Sequence, residues 1–88
     1  MEKPHILRVV GALELWVYKS CEAEFGVGKD WATLYLTESK DEGKGHATTL
    51  LLAAKKYYED KGLIFGGSVA LNMRMKGLYQ KCGIREYC

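Results

Sequence analysis

The sequence holds a single proline, Pro4, so nothing beyond that point locks φ or removes a backbone donor. It holds three cysteines, Cys21, Cys82 and Cys88, an odd number whose spacing matches no metal-ligand pattern. The expected state is reduced thiols in a cytoplasmic protein. No run of about 18 apolar residues occurs, which excludes a membrane-spanning helix. The apolar stretch that follows Met1–His5 is soon broken by Arg8, Gly11 and Glu14, so no signal peptide is legible and the cytoplasm is the expected location. A strong charge of one sign is also missing. The formal net charge of +2 is too small to indicate nucleic acid as the main partner, although a mildly basic surface suits a phosphate-rich ligand. No linker, internal repeat or low-complexity segment divides the chain.

What is present is an ordinary globular composition in 88 residues, enough for one domain, 1–88, with a limited core and a thin margin of stability. Residues 5–19 are rich in strand formers, and Leu13, Leu15 and Val17 alternate with Glu14, Trp16 and Tyr18. Gly11 marks a bulge or a bend between two strands. Gly26–Asp30 reads as a turn. From Trp31 to Glu38 the alternation resumes, with Ala32, Leu34 and Leu36 expected on one face and Trp31, Thr33, Tyr35 and Thr37 on the other. The first 38 residues therefore predict an antiparallel meander.

After Lys40 the period changes. Ala47, Leu50, Leu51, Ala54 and Tyr58 fall at helical spacing, and Gly62 supplies a stop. Leu63–Leu71 is short and apolar and predicts a buried strand. Asn72 suits the N-cap of a second helix, whose stripe is Leu71, Met75, Leu78 and Cys82 and which Gly83 ends. Ile84–Tyr87 predicts a last short strand. The expected fold class is α/β in the α+β sense: a mixed sheet in which the N-terminal meander is followed by strand, helix, strand, helix. The unit over 31–71 should cross over right-handedly into parallel pairing.

The loop joining the predicted strand to the first helix ends in Gly43-Lys44-Gly45-His46-Ala47. Glycines let backbone approach a ligand closely, and the first amides of a helix have no intrahelical partner. With the helix dipole they form an anion site. The same residues also suit a merely flexible loop. The spacing is neither that of a P-loop nor that of a dinucleotide fingerprint.

The second half narrows the choice. Glu42-Gly43-Lys44-Gly45-His46-Ala47 resembles the Arg/Gln-x-x-Gly-x-Gly/Ala loop of GNAT-type N-acetyltransferases. Asn72, Leu78, Tyr79 and Gly83 resemble that family's Asn-x-x-Ala-x-x-Leu-Tyr-x-x-x-Gly-Phe element at matching internal spacing. The resemblance covers about two thirds of the chain, residues 31–87.

It implies acetyl-CoA as co-substrate, with no metal, and direct transfer of the acetyl group to a primary amine, such as a lysine of a protein acceptor. Backbone of the strand before the loop, Leu36, Thr37 and Glu38, would meet the pantetheine arm. The amides of Gly43, Lys44, Gly45, His46, Ala47 and Thr48 would hold the pyrophosphate. Asn72 would lie near the cofactor arm or act simply as a helix cap. Tyr79 matches the tyrosine that protonates the departing thiolate; its plainer reading is a core tyrosine. Gly66-Gly67 either admits the cofactor between splayed strands or packs against an aromatic ring. Glu14, Glu24 and Glu38 are the candidate bases, with Glu38 carried forward as the catalytic carboxylate.

The chain departs from the family pattern at Glu42, Met75 and Ile84, and has almost nothing before Ile6 where the family builds its acceptor site. The expected consequence is a homodimer or docking onto a protein partner that completes the site. The alternative function is a non-catalytic binding module acting on a protein partner, for example a phage anti-defence protein. A structural protein that imitates the motifs by chance is the third reading.

Overall fold

The computed structural model describes residues 3–40, 45–68 and 73–86. Four strands come first: β1 (His5–Val10), β2 (Leu13–Tyr18), β3 (Cys21–Val27) and β4 (Trp31–Ser39). Helix α1 (His46–Asp60), β5 (Ile64–Gly67), α2 (Met73–Cys82) and β6 (Arg85–Glu86) follow. The six strands form one sheet in chain order, antiparallel from β1 to β4 and parallel from β4 to β6. The fold is a mixed α+β fold in two layers. Among the described residues, no helix is long and apolar enough to cross a membrane.

Both helices are stopped by the same device. At the end of α1 the amide of Gly62 bonds the carbonyl of Glu59, and the amide of Leu63 bonds that of Tyr58. At the end of α2 the amides of Gly83 and Ile84 bond the carbonyls of Gln80 and Tyr79. This double closure requires a left-handed residue, and Gly62 and Gly83 supply it with φ of 83° and 67°. The chain is thereby turned from each helix directly into the next strand.

The core lies between the sheet and α1. Helix α1 packs across β2 to β5 and against α2, burying Leu50, Leu51, Ala54 and Tyr58. The sheet contributes Trp16, Phe25, Leu34 and Phe65. The Tyr58 ring sits 5.4 Å from Phe25 and 6.2 Å from Phe65, within the range of favourable aromatic pairs. Its hydroxyl donates to Glu14 Oε1 at 2.6 Å and accepts from Trp16 Nε1 at 2.9 Å, so the polar ends brought inside are satisfied.

Three expectations are corrected. β3 occupies Cys21–Val27, a strand that the expected meander does not delimit and that runs into the turn expected over Gly26–Asp30. The predicted strand Leu63–Leu71 is confined to Ile64–Gly67 in the described residues. The predicted faces of β4 hold as far as Tyr35 and are reversed from Leu36 on. Glu24 pairs with Leu36 and Phe25 with Leu34, leaving Tyr35 as the extra residue of a β-bulge. Ala32 and Leu34 face the helices. Beyond the bulge Thr37 does so, and Leu36 turns to the opposite face, where it is exposed.

Gly67 is required by its neighbour. A Cβ there would lie 2.7 Å from Cζ of Tyr79, whose ring is buried against β5. Gly77 in α2 has open space around its missing Cβ. The two glycines should therefore respond oppositely to alanine. Gly67→Ala is expected to destabilise by about 1–3 kcal/mol, and Gly77→Ala to stabilise by about 0.5–1 kcal/mol. Thermal unfolding followed by circular dichroism reads both. Equal midpoints for the wild type and Gly67→Ala would mean that Tyr79 is not seated on β5.

Candidate functional site

The parallel ladder between β4 and β5 is short. It runs from Trp31↔Ile64 to Leu34↔Gly67, and the amide of Ser68 makes a last bond to the carbonyl of Leu34 at 2.9 Å. β4 then continues from Tyr35 to Ser39 with β3 as its only strand neighbour among the described residues. A strand paired on one side presents the backbone groups of its other side to whatever enters. The bulge at Tyr35 falls where the described ladder with β5 ends, and a bulged strand bends and twists away from its former line.

Above this fork lies the start of α1. Gly45 precedes the helix at φ 75°, no side chain among the described residues caps the first turn, and no acidic residue stands in it. The ring of His46 meets Tyr18 edge-on at 5.7 Å. Two polar atoms on the helix side of the sheet, His46 Nδ1 and Thr37 Oγ1, are buried without a hydrogen-bond partner among the described residues. Orphaned buried polar atoms are uncommon in folded proteins. Thr48 and Ala47 are half-buried in the same turn, and the carbonyl of Thr48 lies 3.9 Å from the Cys82 thiol.

Below the fork, α2 delivers Tyr79. Its hydroxyl donates to the carbonyl of Ser68 at 2.9 Å, one residue beyond the end of β5. Burial pushes the Tyr79 phenol up, Ser68 opposes this in part, and the charge of Glu86 adds to it. The group therefore keeps its proton at neutral pH. Burial also raises the Cys82 thiol, which leaves it a poor nucleophile.

The opposite face of the sheet carries a different feature, an open depression of about 170 Å³. It is lined by Leu15, Glu22, Ala23, Glu24, Leu36 and Glu38. Glu22 and Glu38 stand directly opposite one another on β3 and β4.

The sequence-derived residues thus fall into three places. Gly45, His46, Ala47 and Thr48 form the start of α1, and Thr37 faces the helix layer from β4. Tyr79 stands at the fork. Leu36 and Glu38 project onto the helix-free face, so only their backbone is at the fork. Gly43, Lys44 and Asn72 lie outside the described residues. Of the other candidate bases, Glu24 shares the depression with Glu38, while Glu14 is held by the Tyr58 hydroxyl and serves the core. Gly67 belongs to the Tyr79 ring and offers no space to a ligand. Sequence reasoning missed Glu22 and Ser68. The Glu22-x-Glu24 alternation was the signal for the first; Ser68 acts through its carbonyl, which no side chain announces.

Among the described residues, no three His, Cys, Asp or Glu side chains are grouped to hold a metal ion. Comparison of the chain with protein-family models, with curated proteins and with solved structures gives no match.

The buried acids make a stability prediction. Tyr58, raised by burial and by its bond to Glu14, Tyr79 and Cys82 all hold their protons more tightly folded than unfolded. Unfolding releases those protons at high pH. Their stabilisation is complete below the ordinary thiol and phenol values of about 8.5 and 10 and is lost as pH rises through the folded values. The unfolding midpoint should fall steadily above about pH 9, and Tyr58→Phe should flatten the fall above about pH 10. A wild-type midpoint unchanged to pH 11 would contradict the burial of these groups.

Proposed function

We propose that the chain is a minimal GNAT-type N-acetyltransferase that takes acetyl-CoA and acetylates a primary amine, a protein lysine being the acceptor class. The observation that carries the reading is the fork. Among the described residues, one edge of β4 has no strand partner from Tyr35 to Ser39, the start of α1 has no side-chain cap, and a protonated tyrosine bonds the Ser68 carbonyl just beyond β5. Of the residues that resemble the family, Gly45, His46, Ala47 and Tyr79 belong to those same elements.

The groups present fit the co-substrate. The first amides of α1, with no acidic residue in the first turn itself, suit a pyrophosphate. The buried orphan atoms of His46 and Thr37 have capacity for a polar ligand on the helix side of the sheet. The unpaired edge of β4 suits the amide-bearing pantetheine arm, which pairs with it as a short strand would.

The roles follow from placement. The amine nitrogen bonds to the thioester carbonyl carbon, and the carbon–sulfur bond breaks. Glu38, on the helix-free face of β4, takes the proton that the ammonium loses, directly or through water. Tyr79 gives its proton to the thiolate and recovers one from solvent. Reduced thiols and direct transfer suit a cytoplasmic setting.

Calorimetric titration of the reduced protein with acetyl-CoA is expected to give micromolar binding, and transfer to a lysine-rich synthetic polypeptide is expected by mass spectrometry. Tyr79→Phe should leave acetyl-CoA affinity within a few-fold and reduce turnover by about 10²–10⁴, the usual weight of a general acid. Absence of binding at millimolar acetyl-CoA would reject the proposal. Binding with equal turnover in Tyr79→Phe would reject the role of the phenol.

A further inference from the structure

Both helices lie on one face of the sheet, and the described residues put no layer on the other. Antiparallel sheets often leave one face to water, and such a face is usually polar. Here the registers bring Leu13, Trp31, Tyr35, Leu36 and Ile64 onto it, all exposed. Trp31 is 55% exposed and Ile64 63%, and they stand side by side on β4 and β5. Apolar side chains clustered in this way mark an interaction surface.

The other end of the same face is acidic. Glu22 and Glu38 are directly opposed, and Glu24 lies two residues along on the same side. Like charges facing each other across strands are destabilising, so folding alone does not account for them. The basic groups on this face, His5 and Arg8 on β1 and Arg85 on β6, stand on the outer strands. The centre therefore favours a cation and disfavours an anionic membrane or nucleic acid. It also disfavours a second copy of this chain, which would bring three more carboxylates to the contact.

A broad apolar sheet face is most readily covered by a helix. From Trp31 to Glu38, β4 runs about 23 Å at ~3.3 Å per residue, which about 15 helical residues span. We propose that this face docks a lysine-bearing amphipathic helix of a protein partner. Its apolar stripe covers Leu13, Trp31, Tyr35 and Ile64, and a lysine ammonium enters the depression among Glu22, Glu24 and Glu38. The proposal rests on the acetyltransferase reading for the fate of that lysine, but docking itself is a binding event measured without acetyl-CoA.

The protein carries its own reporter, since Trp31 is exposed on this face and Trp16, the second tryptophan, is 4% exposed in the core. The probe is a designed amphipathic helix of about 18 leucine and lysine residues. It is expected to blue-shift the emission saturably, and Trp31→Phe should abolish the shift. Glu22→Gln with Glu24→Gln should weaken binding by about tenfold or more. The same double variant should bind acetyl-CoA as the wild type does, so failure of docking and failure of the acetyltransferase reading are told apart. No shift with the leucine–lysine helix overturns the proposal. So does equal affinity of the double variant, or equal binding of a leucine–glutamate helix. A shift that appears on raising protein concentration alone, with a dimer in sedimentation, assigns the face to a second copy and also overturns it.

Discussion

One extra residue in β4 governs the arrangement of everything around it. Tyr35 has no partner in the ladder with β3, so the side-chain period of two slips by one at that point. Before it, Ala32 and Leu34 go to the core. After it, Thr37 goes to the helix layer, and Leu36 and Glu38 go to the bare face. Without the slip, Leu36 would be buried and Glu38 would share its side, placing a carboxylate beneath α1. The slip keeps that charge out of the low-dielectric layer and delivers it to a surface that already holds Glu22 and Glu24. It also coincides with the end of β5, so the same residue marks the mouth of the fork. The Tyr35 ring folds back over Gly26, where any side chain would collide with it, which ties the bulge to the neighbouring strand.

Stability depends on a core built from one side only. Tyr58 carries much of that load, because its ring joins α1 to Phe25 and Phe65 while its hydroxyl joins the helix to Glu14 and Trp16 on β2. Removing the hydroxyl would leave a carboxylate and an indole N–H short of a partner, a larger loss than that of the bond itself. Helix α2 is tied in more lightly, through Met75, Tyr79 and Cys82. The helix that holds the proposed proton donor thus has fewer buried anchors than α1 among the described residues.

The sequence made the periodic parts legible. The stripe of α1, the glycine stops of both helices and the order of elements could be read because each follows from spacing and local backbone chemistry. The bulge could not, because Trp31–Glu38 alternates without a fault as written and only the pairing with β3 reveals the slip. β3 itself was obscured by Cys21 and Ala23, small residues that bury fully but weigh little in a hydrophobic pattern. In the candidate site, side chains on motif positions such as Tyr79 were legible. The unpaired edge of β4, the Ser68 carbonyl and the Glu22–Glu38 pair were not, since each exists only after strands meet. Glu14 shows the converse: alike in sequence to Glu38, it differs because a tyrosine forty-four residues away reaches it.

Tyr79 joins the structural and the proposed chemical roles in one residue. Its seat on β5 requires a glycine at position 67, and that seat brings the phenol out of water at the point where β4 and β5 separate. Desolvation raises the phenol and makes it a weaker acid, which at first sight argues against proton donation. The same desolvation acts on any thiolate formed beside it, destabilising that anion and raising its affinity for a proton. What matters for transfer is the difference between the two, and burial moves both in the same direction. The Ser68 carbonyl holds the hydroxyl in place while the phenol is neutral. A thiolate in the fork would be the stronger acceptor, because a charged acceptor makes the stronger hydrogen bond. A donor that is fully protonated at rest, held by a neutral partner and drawn toward a charged one, has the order of hydrogen-bond strengths that proton delivery needs.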